Sequence, residues 1–267
     1  MKILILSQST KHPHFLLVDS FTKATWMQTK IEDVEIYSFY GCYDYDGTPL
    51  DQYETIPEPG QIRLEGTNII YGGRDYIKGF PDDPSLPWRT KTFYPDVDPR
   101  SERFINTLQY CYENFEFDFI YRTGDSYYVD VRELKNHIKD NLPSDTKIYT
   151  GSVFTKYKNF VAGSNLLISR DVVKTLVENK TRYLEISQTF AEDIAIGILL
   201  VDELRYIEKL ENQKRWNTMC AFQEEYPIES IQLRDKACIY KVFNQQNFKE
   251  ISRIVRIHDL ITQKYLK

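Results

Sequence analysis

The stretch 117-FDFIYRTGDSYYVD-130 decides how the chain is read. Its first half alternates, with Phe115, Phe117, Phe119 and Tyr121 on one face and Glu116, Asp118 and Arg122 on the other, as a half-buried strand does. The alternation breaks at Gly124-Asp125-Ser126, and two tyrosines then resume the apolar run. A carboxylate is thus delivered into a loop just beyond the carboxyl end of a strand. In open α/β sheets that edge is where ligands bind. Asp125 there suits a hard divalent cation that bridges phosphate oxygens. A turn, with local side-chain bonds to backbone, is the alternative.

Working outward, residues 2–6 form a first strand, a helix is expected through about 15–30, and "VEIYSFY" (34–40) reads as a second strand. Residues 41–60 are a loop by composition, and "TNIIYGG" is a short strand. Pro81, Pro84, Pro87, Pro95 and Pro99 exclude one regular element over 79–100, and that segment is expected to border the site. Helical patterns cover 100–114, 130–143, 170–178 and 191–204, while "KIYTGSV" (147–153), "NFVAGSNLLIS" (159–169) and "CIYKVF" (238–243) read as strands. Strand–helix alternation points to one α/β domain over 1–267, with a mostly parallel twisted sheet and flanking helices.

The 267 residues suffice for a substantial core, with 42% hydrophobic and 27% charged residues. A net charge of -5 argues against a broad nucleic-acid surface. The four cysteines form no CxxC pair, and reduced thiols are expected. The opening apolar run is too short for a signal peptide or membrane anchor, so a soluble, cytoplasmic protein is expected. The 20 tyrosines fit either an extended core or a groove of rings open to sugars.

Three further pieces carry polar residues at informative places. In "AEDIAIG" (191–197), Glu192 and Asp193 open a helix, where its dipole favours acids; one of them could instead be a general base on a rigid element. Gly197 would let that helix approach a neighbour closely. In "VAGSNLLIS" (161–169), Gly163-Ser164-Asn165 interrupts a strand, as a bulge or as backbone that must approach a ligand. His258, in "IVRIHDL", is either structural or a ligand.

In order and spacing these pieces resemble the inverting β-1,3-glycosyltransferases of the fringe, core-1 galactosyltransferase and β-1,3-galactosyltransferase family, which has a GT-A fold. The likeness spans roughly 101–204, and the match at His258 is the weaker part. It implies a transferase moving a sugar from a nucleotide-sugar donor, such as a UDP-sugar, to a glycan or other hydroxyl acceptor. Asp193 falls at the family's catalytic base. Thr123, Gly124, Asp125, Ser126, Gly163 and Glu192 fall at donor-binding positions. Asp125 and His258 fall at the metal site, for Mn²⁺ or Mg²⁺. Gly124 and Ser126 replace two carboxylates of the family's acidic triplet, so the cation is expected to bind weakly without nucleotide. Other readings are a retaining or other-family GT-A transferase, a phage-type enzyme glycosylating DNA bases, and a non-catalytic relative that binds sugar or nucleotide.

Overall fold

The computed structural model describes residues 1–9, 13–40, 63–65, 69–71, 99–124, 126–142, 147–154, 159–208, 210, 220–222, 227–242 and 251–266. Asp125, the 41–60 loop and nearly all of the proline-rich 79–100 segment lie outside these residues.

The described strands are β1 (Ile3–Gln8), β2 (Val34–Tyr40), β3 (Arg63–Glu65), β4 (Ile69–Tyr71), β5 (Phe119–Gly124), β6 (Tyr127–Val129), β7 (Tyr149–Phe154), β8 (Phe160–Ser169), β9 (Cys220–Phe222) and β10 (Ile239–Lys241). Seven of them make a sheet in the order β3-β4-β2-β1-β5-β8-β7. β4, β2, β1 and β5 are mutually parallel, and β7 runs their way; β3 and β8 run against them. β8 is reversed because it pairs antiparallel with β7, and it lies between β7 and β5. β6, β10 and β9 form a second, three-stranded sheet.

Helices cover both faces. α1 (Pro13–Ala24), α3 (Val131–Asn141) and α7 (Ser252–Leu266) pack with the small sheet on one face, through Val18, Leu134, Ile138, Ile254 and Ile257. α2 (Pro99–Asn114), α4 (Arg170–Glu178), α5 (Lys180–Ser187) and α6 (Glu192–Gly197) cover the other, through Phe104, Leu108, Val173, Leu176 and Ile196. The local causes are visible in α3. The Asp130 side chain accepts from the Glu133 amide, and Val131, Leu134 and Ile138 form its buried stripe.

The alternation read from Phe115 holds only inside β5. Phe119 and Tyr121 face one core, but Phe117 precedes the strand and packs in the other. The 191–204 helix is α only through Gly197 and continues as a π-helical turn over Ile198–Glu203. α5 escaped the sequence reading because its hydrophobic pattern is weak; the tail after Ile251, unassigned there, is α7. Tyr121, Tyr128, Tyr149, Tyr183 and Tyr240 are buried in the two cores.

The β7–β8 pairing carries a large bulge. Gly151 pairs with Leu166 and Val153 with Val161, so Ala162–Asn165 stand opposite Ser152 alone. Gly151 makes this possible. Its φ is +151°, and a Cβ there would lie 1.9 Å from the Asn165 carbonyl oxygen. Gly151→Ala is therefore expected to destabilise the chain by about 2–4 kcal/mol, read as a lower midpoint in urea with an unchanged slope. An unchanged midpoint would mean that the bulge does not depend on this residue.

Candidate functional site

The strands turn polar together as they approach one edge. On one face, Ile36, Ile5, Tyr121 and Leu167 give way to Ser38, Ser7, Thr123 and Asn165, which are in register across β2, β1, β5 and β8. All four are 0% exposed. Asn165 accepts from the Tyr121 hydroxyl at 3.0 Å and donates to Ser152 at 3.0 Å. Ser38 donates to the Met27 sulfur at 3.7 Å. The Ser7 and Thr123 hydroxyls have no hydrogen-bond partner among the described residues. An unsatisfied buried hydroxyl costs about 1–3 kcal/mol.

The other face makes the same change. Leu6 and Ile120 are followed by Gln8 and Arg122. β2 lies on one side of β1 and β5 on the other, so the chain leaves β1 and β5 at a topological switch point, where crevices form in α/β sheets. Gln8 and Gly124 are register partners at that point. Gly124 has open space where a side chain would stand.

Arg122 is 3% exposed and Glu192 5% exposed, and they form a buried ion pair. Both guanidinium Nη atoms donate to the Glu192 carboxylate, and Nη2 also donates to the Gln8 side chain. The guanidinium lies over the Phe104 ring, its Cζ 4.3 Å from the centroid. Removing one partner of such a pair costs about 3–5 kcal/mol, because the other is left buried and charged.

Asp193 follows on α6 and is half-buried. One oxygen accepts from the Gly163 amide at 3.3 Å and the other from Ile194 N–H at 2.9 Å. The β8 bulge supplies the Gly163 amide. Burial, with the Asp193 charge adding to it, pushes the Tyr149 hydroxyl well above its usual range; that hydroxyl accepts from Val161 N–H at 3.1 Å. α6 reaches this place because Gly197 is glycine: a Cβ would stand 2.4 Å from the Asn159 carbonyl oxygen and 2.7 Å from Phe160 Cβ. Ser164 is 3.3 Å from the Tyr127 hydroxyl, which ties the bulge to the strand that follows Ser126.

The structure thus brings Thr123, Gly124, Gly163, Glu192 and Asp193 to one edge, with Ser126 two residues past the end of β5. It places Glu192 against Arg122. His258 stands on α7 with Nδ1 2.9 Å from the Tyr128 hydroxyl. Among the described residues no group of three or more His, Cys, Asp or Glu side chains gathers to hold a metal ion. Asp125, the other residue that the resemblance assigns to the cation, lies outside the described residues. Arg122, Gln8, Ser7 and Ser38 were missed by the sequence reading; their signal is the polar end shared by successive apolar strands.

No family model and no curated protein sequence matches the chain. Solved structures do. A glycosyltransferase involved in glycosylating the major capsid of PBCV-1 is 11% identical with a TM-score of 0.46, covering 98% of this chain and 100% of its own. The glycosyltransferase GlyE of Streptococcus pneumoniae is 10% identical with a TM-score of 0.44, covering 100% of this chain and 64% of its own. An active-site mutant of LgtC is 10% identical with a TM-score of 0.45, covering 97% and 95%. Likeness at this level transfers no residue role to the chain. Among the described residues no helix is long and apolar enough to cross a membrane.

The orphaned hydroxyl of Thr123 gives a test of the edge. Thr123→Val should leave the melting temperature unchanged or raise it, while weakening binding of nucleoside diphosphates at least threefold by titration calorimetry. A lower melting temperature with unchanged nucleotide affinity would return Thr123 to the core.

Proposed function

We propose that the chain is a GT-A-like glycosyltransferase that moves a sugar from a nucleotide-sugar donor to a hydroxyl acceptor, with inversion. The observation that carries this reading is the carboxylate of Asp193 standing at the Gly163 amide, at the carboxyl edge beside the β1/β5 switch point. The same residues carry the sequence resemblance to inverting β-1,3-glycosyltransferases.

In this mechanism the acceptor hydroxyl attacks the anomeric carbon from the face opposite the diphosphate. Asp193 takes the hydroxyl proton as the new C–O bond forms. The bond to the diphosphate breaks, its electron pair leaves on the phosphate oxygen, and the anomeric centre passes through an oxocarbenium-like state. A carboxylate has about four acceptor positions, and the Gly163 and Ile194 amides engage two, so Asp193 keeps capacity for a substrate hydroxyl. Thr123, Gly124, Asp125, Ser126 and Gly163 form the donor side, and Glu192 a support behind them. A divalent cation, if used, would neutralise the departing diphosphate, with Asp125 as the residue that the resemblance assigns to it.

The test is a screen of nucleotide sugars with purified protein, with and without Mn²⁺, reading nucleotide release. At least one donor should be turned over. Asp193→Asn should then lower kcat at least a hundredfold while nucleotide affinity stays within a few-fold, since a transition-state role costs rate rather than ground-state binding. Equal loss of both would make Asp193 a structural residue at the helix start. Binding of nucleotide with no turnover of any donor would favour a non-catalytic relative.

A further inference from the structure

We propose that Arg122 is the positioning residue of this site: it sets Asp193 through Glu192, and Gly163 lacks a side chain because the guanidinium fills that space. The inference rests on the transferase reading above.

α6 has no side-chain cap at Ala191, its N-cap residue. Its position is set by tethers. Gly197 seats its far end on Asn159 and Phe160. At its near end Glu192 is gripped by Arg122, and the next residue is Asp193. The grip comes from the strand that carries the Gly124 edge, and the same guanidinium holds Gln8 at the end of β1. One side chain therefore joins both sides of the switch point to the helix bearing the carboxylate.

The guanidinium has no room to drift. Phe104 lies under it, and Gly163 lies beside it. A Cβ on Gly163 would stand 2.7 Å from Nη1, 3.2 Å from Cζ and 3.3 Å from Nη2. Gly163 also presents the amide that Asp193 accepts. Displacing Arg122 thus disturbs both the helix start and the residue that the carboxylate rests on. A lysine keeps the charge but lacks the planar fork that serves Glu192 and Gln8 together.

The experiment measures nucleotide release from UDP-glucose, UDP-galactose, UDP-N-acetylglucosamine and GDP-mannose by the wild type, Arg122→Lys, Gly163→Ala and the double variant. Thermal melting is recorded for each. For the donor that the wild type turns over, Arg122→Lys should lower kcat at least tenfold with KM for donor within threefold. Gly163→Ala should lower kcat by a similar factor in the wild type and by less than threefold in the lysine background, where the crowded Nη atoms are gone. A merely structural role would not produce that dependence. Unchanged kcat in a folded Arg122→Lys protein, a loss confined to KM, or equal effects of Gly163→Ala in both backgrounds would overturn the proposal. If Arg122→Lys does not fold, Gly163→Ala decides: an unchanged kcat overturns the proposal, and a tenfold loss at unchanged KM and melting temperature supports it. A wild type that turns over no donor defeats the transferase reading and this inference with it; an active wild type with unaffected variants defeats the inference alone.

Discussion

A guanidinium in an apolar core must be matched or it unfolds what surrounds it. Arg122 is matched by Glu192, seventy residues later in the chain, and by Gln8, at the end of the first strand. For Glu192 to arrive, α6 must lie on β8; for that, Gly197 must let backbone meet backbone at Asn159. For the guanidinium to fit, Gly163 must have no side chain. The polar demand of one residue therefore fixes the relation between β1, β5, β8 and α6. Burial of an ion pair rarely adds stability over a well-packed apolar pair. Its value here is geometric: it ties the ends of β1 and β5 to α6.

The three glycines of this region act by different means. Gly151 takes a backbone angle closed to other residues, Gly163 clears space for a side chain, and Gly197 clears space for a backbone. Together they produce a strand pair that does not stay in register and a short helix pressed against it. The bulge turns the Gly163 amide out of the β-ladder and toward Asp193. A regular ladder would have spent that amide on a neighbouring strand. The site is thus built from a failure of regular pairing, held in place by residues that could not be larger.

Much of the framework was legible beforehand. "VEIYSFY" and the 170–178 helix fall where the sequence put them, because each has a strong period and clear ends. The polar breaks at Gly163 and at Glu192-Asp193 were also legible as places where a regular element is interrupted. What could not be read was their mutual arrangement. Arg122 looked like the polar side of an alternating strand, and nothing local distinguishes a solvated arginine from one buried against a distant glutamate. Glu192 for the same reason was read with the donor contacts, whereas the structure gives its carboxylate to Arg122. The reversal of β8 was equally hidden, since the pattern of a strand does not record its direction. The Gly151 bulge was hidden too, because one glycine in "KIYTGSV" signals an irregularity and not its size.

The two faces of the sheet reach the same edge by different chemistry, and the contrast bears on how the edge works. On the Arg122 face both Nη atoms are engaged by Glu192 and Gln8, while Nε has no partner among the described residues, and the Phe104 ring packs against the charge. On the other face Ser7 and Thr123 are buried with hydroxyls that no described group satisfies. Two residues earlier the same strands carry Ile5, which is apolar, and Tyr121, whose hydroxyl has a partner in Asn165. The first face is held by an ion pair; the second carries two hydroxyls that no described group satisfies. Rigid support on one side and unmet hydrogen-bonding capacity on the other is the condition under which a polar ligand gains directional bonds without reorganising the protein. On the transferase reading proposed above, the donor would meet the side whose hydroxyls lack partners, and Asp193 would be held by the side built on Arg122 and Glu192.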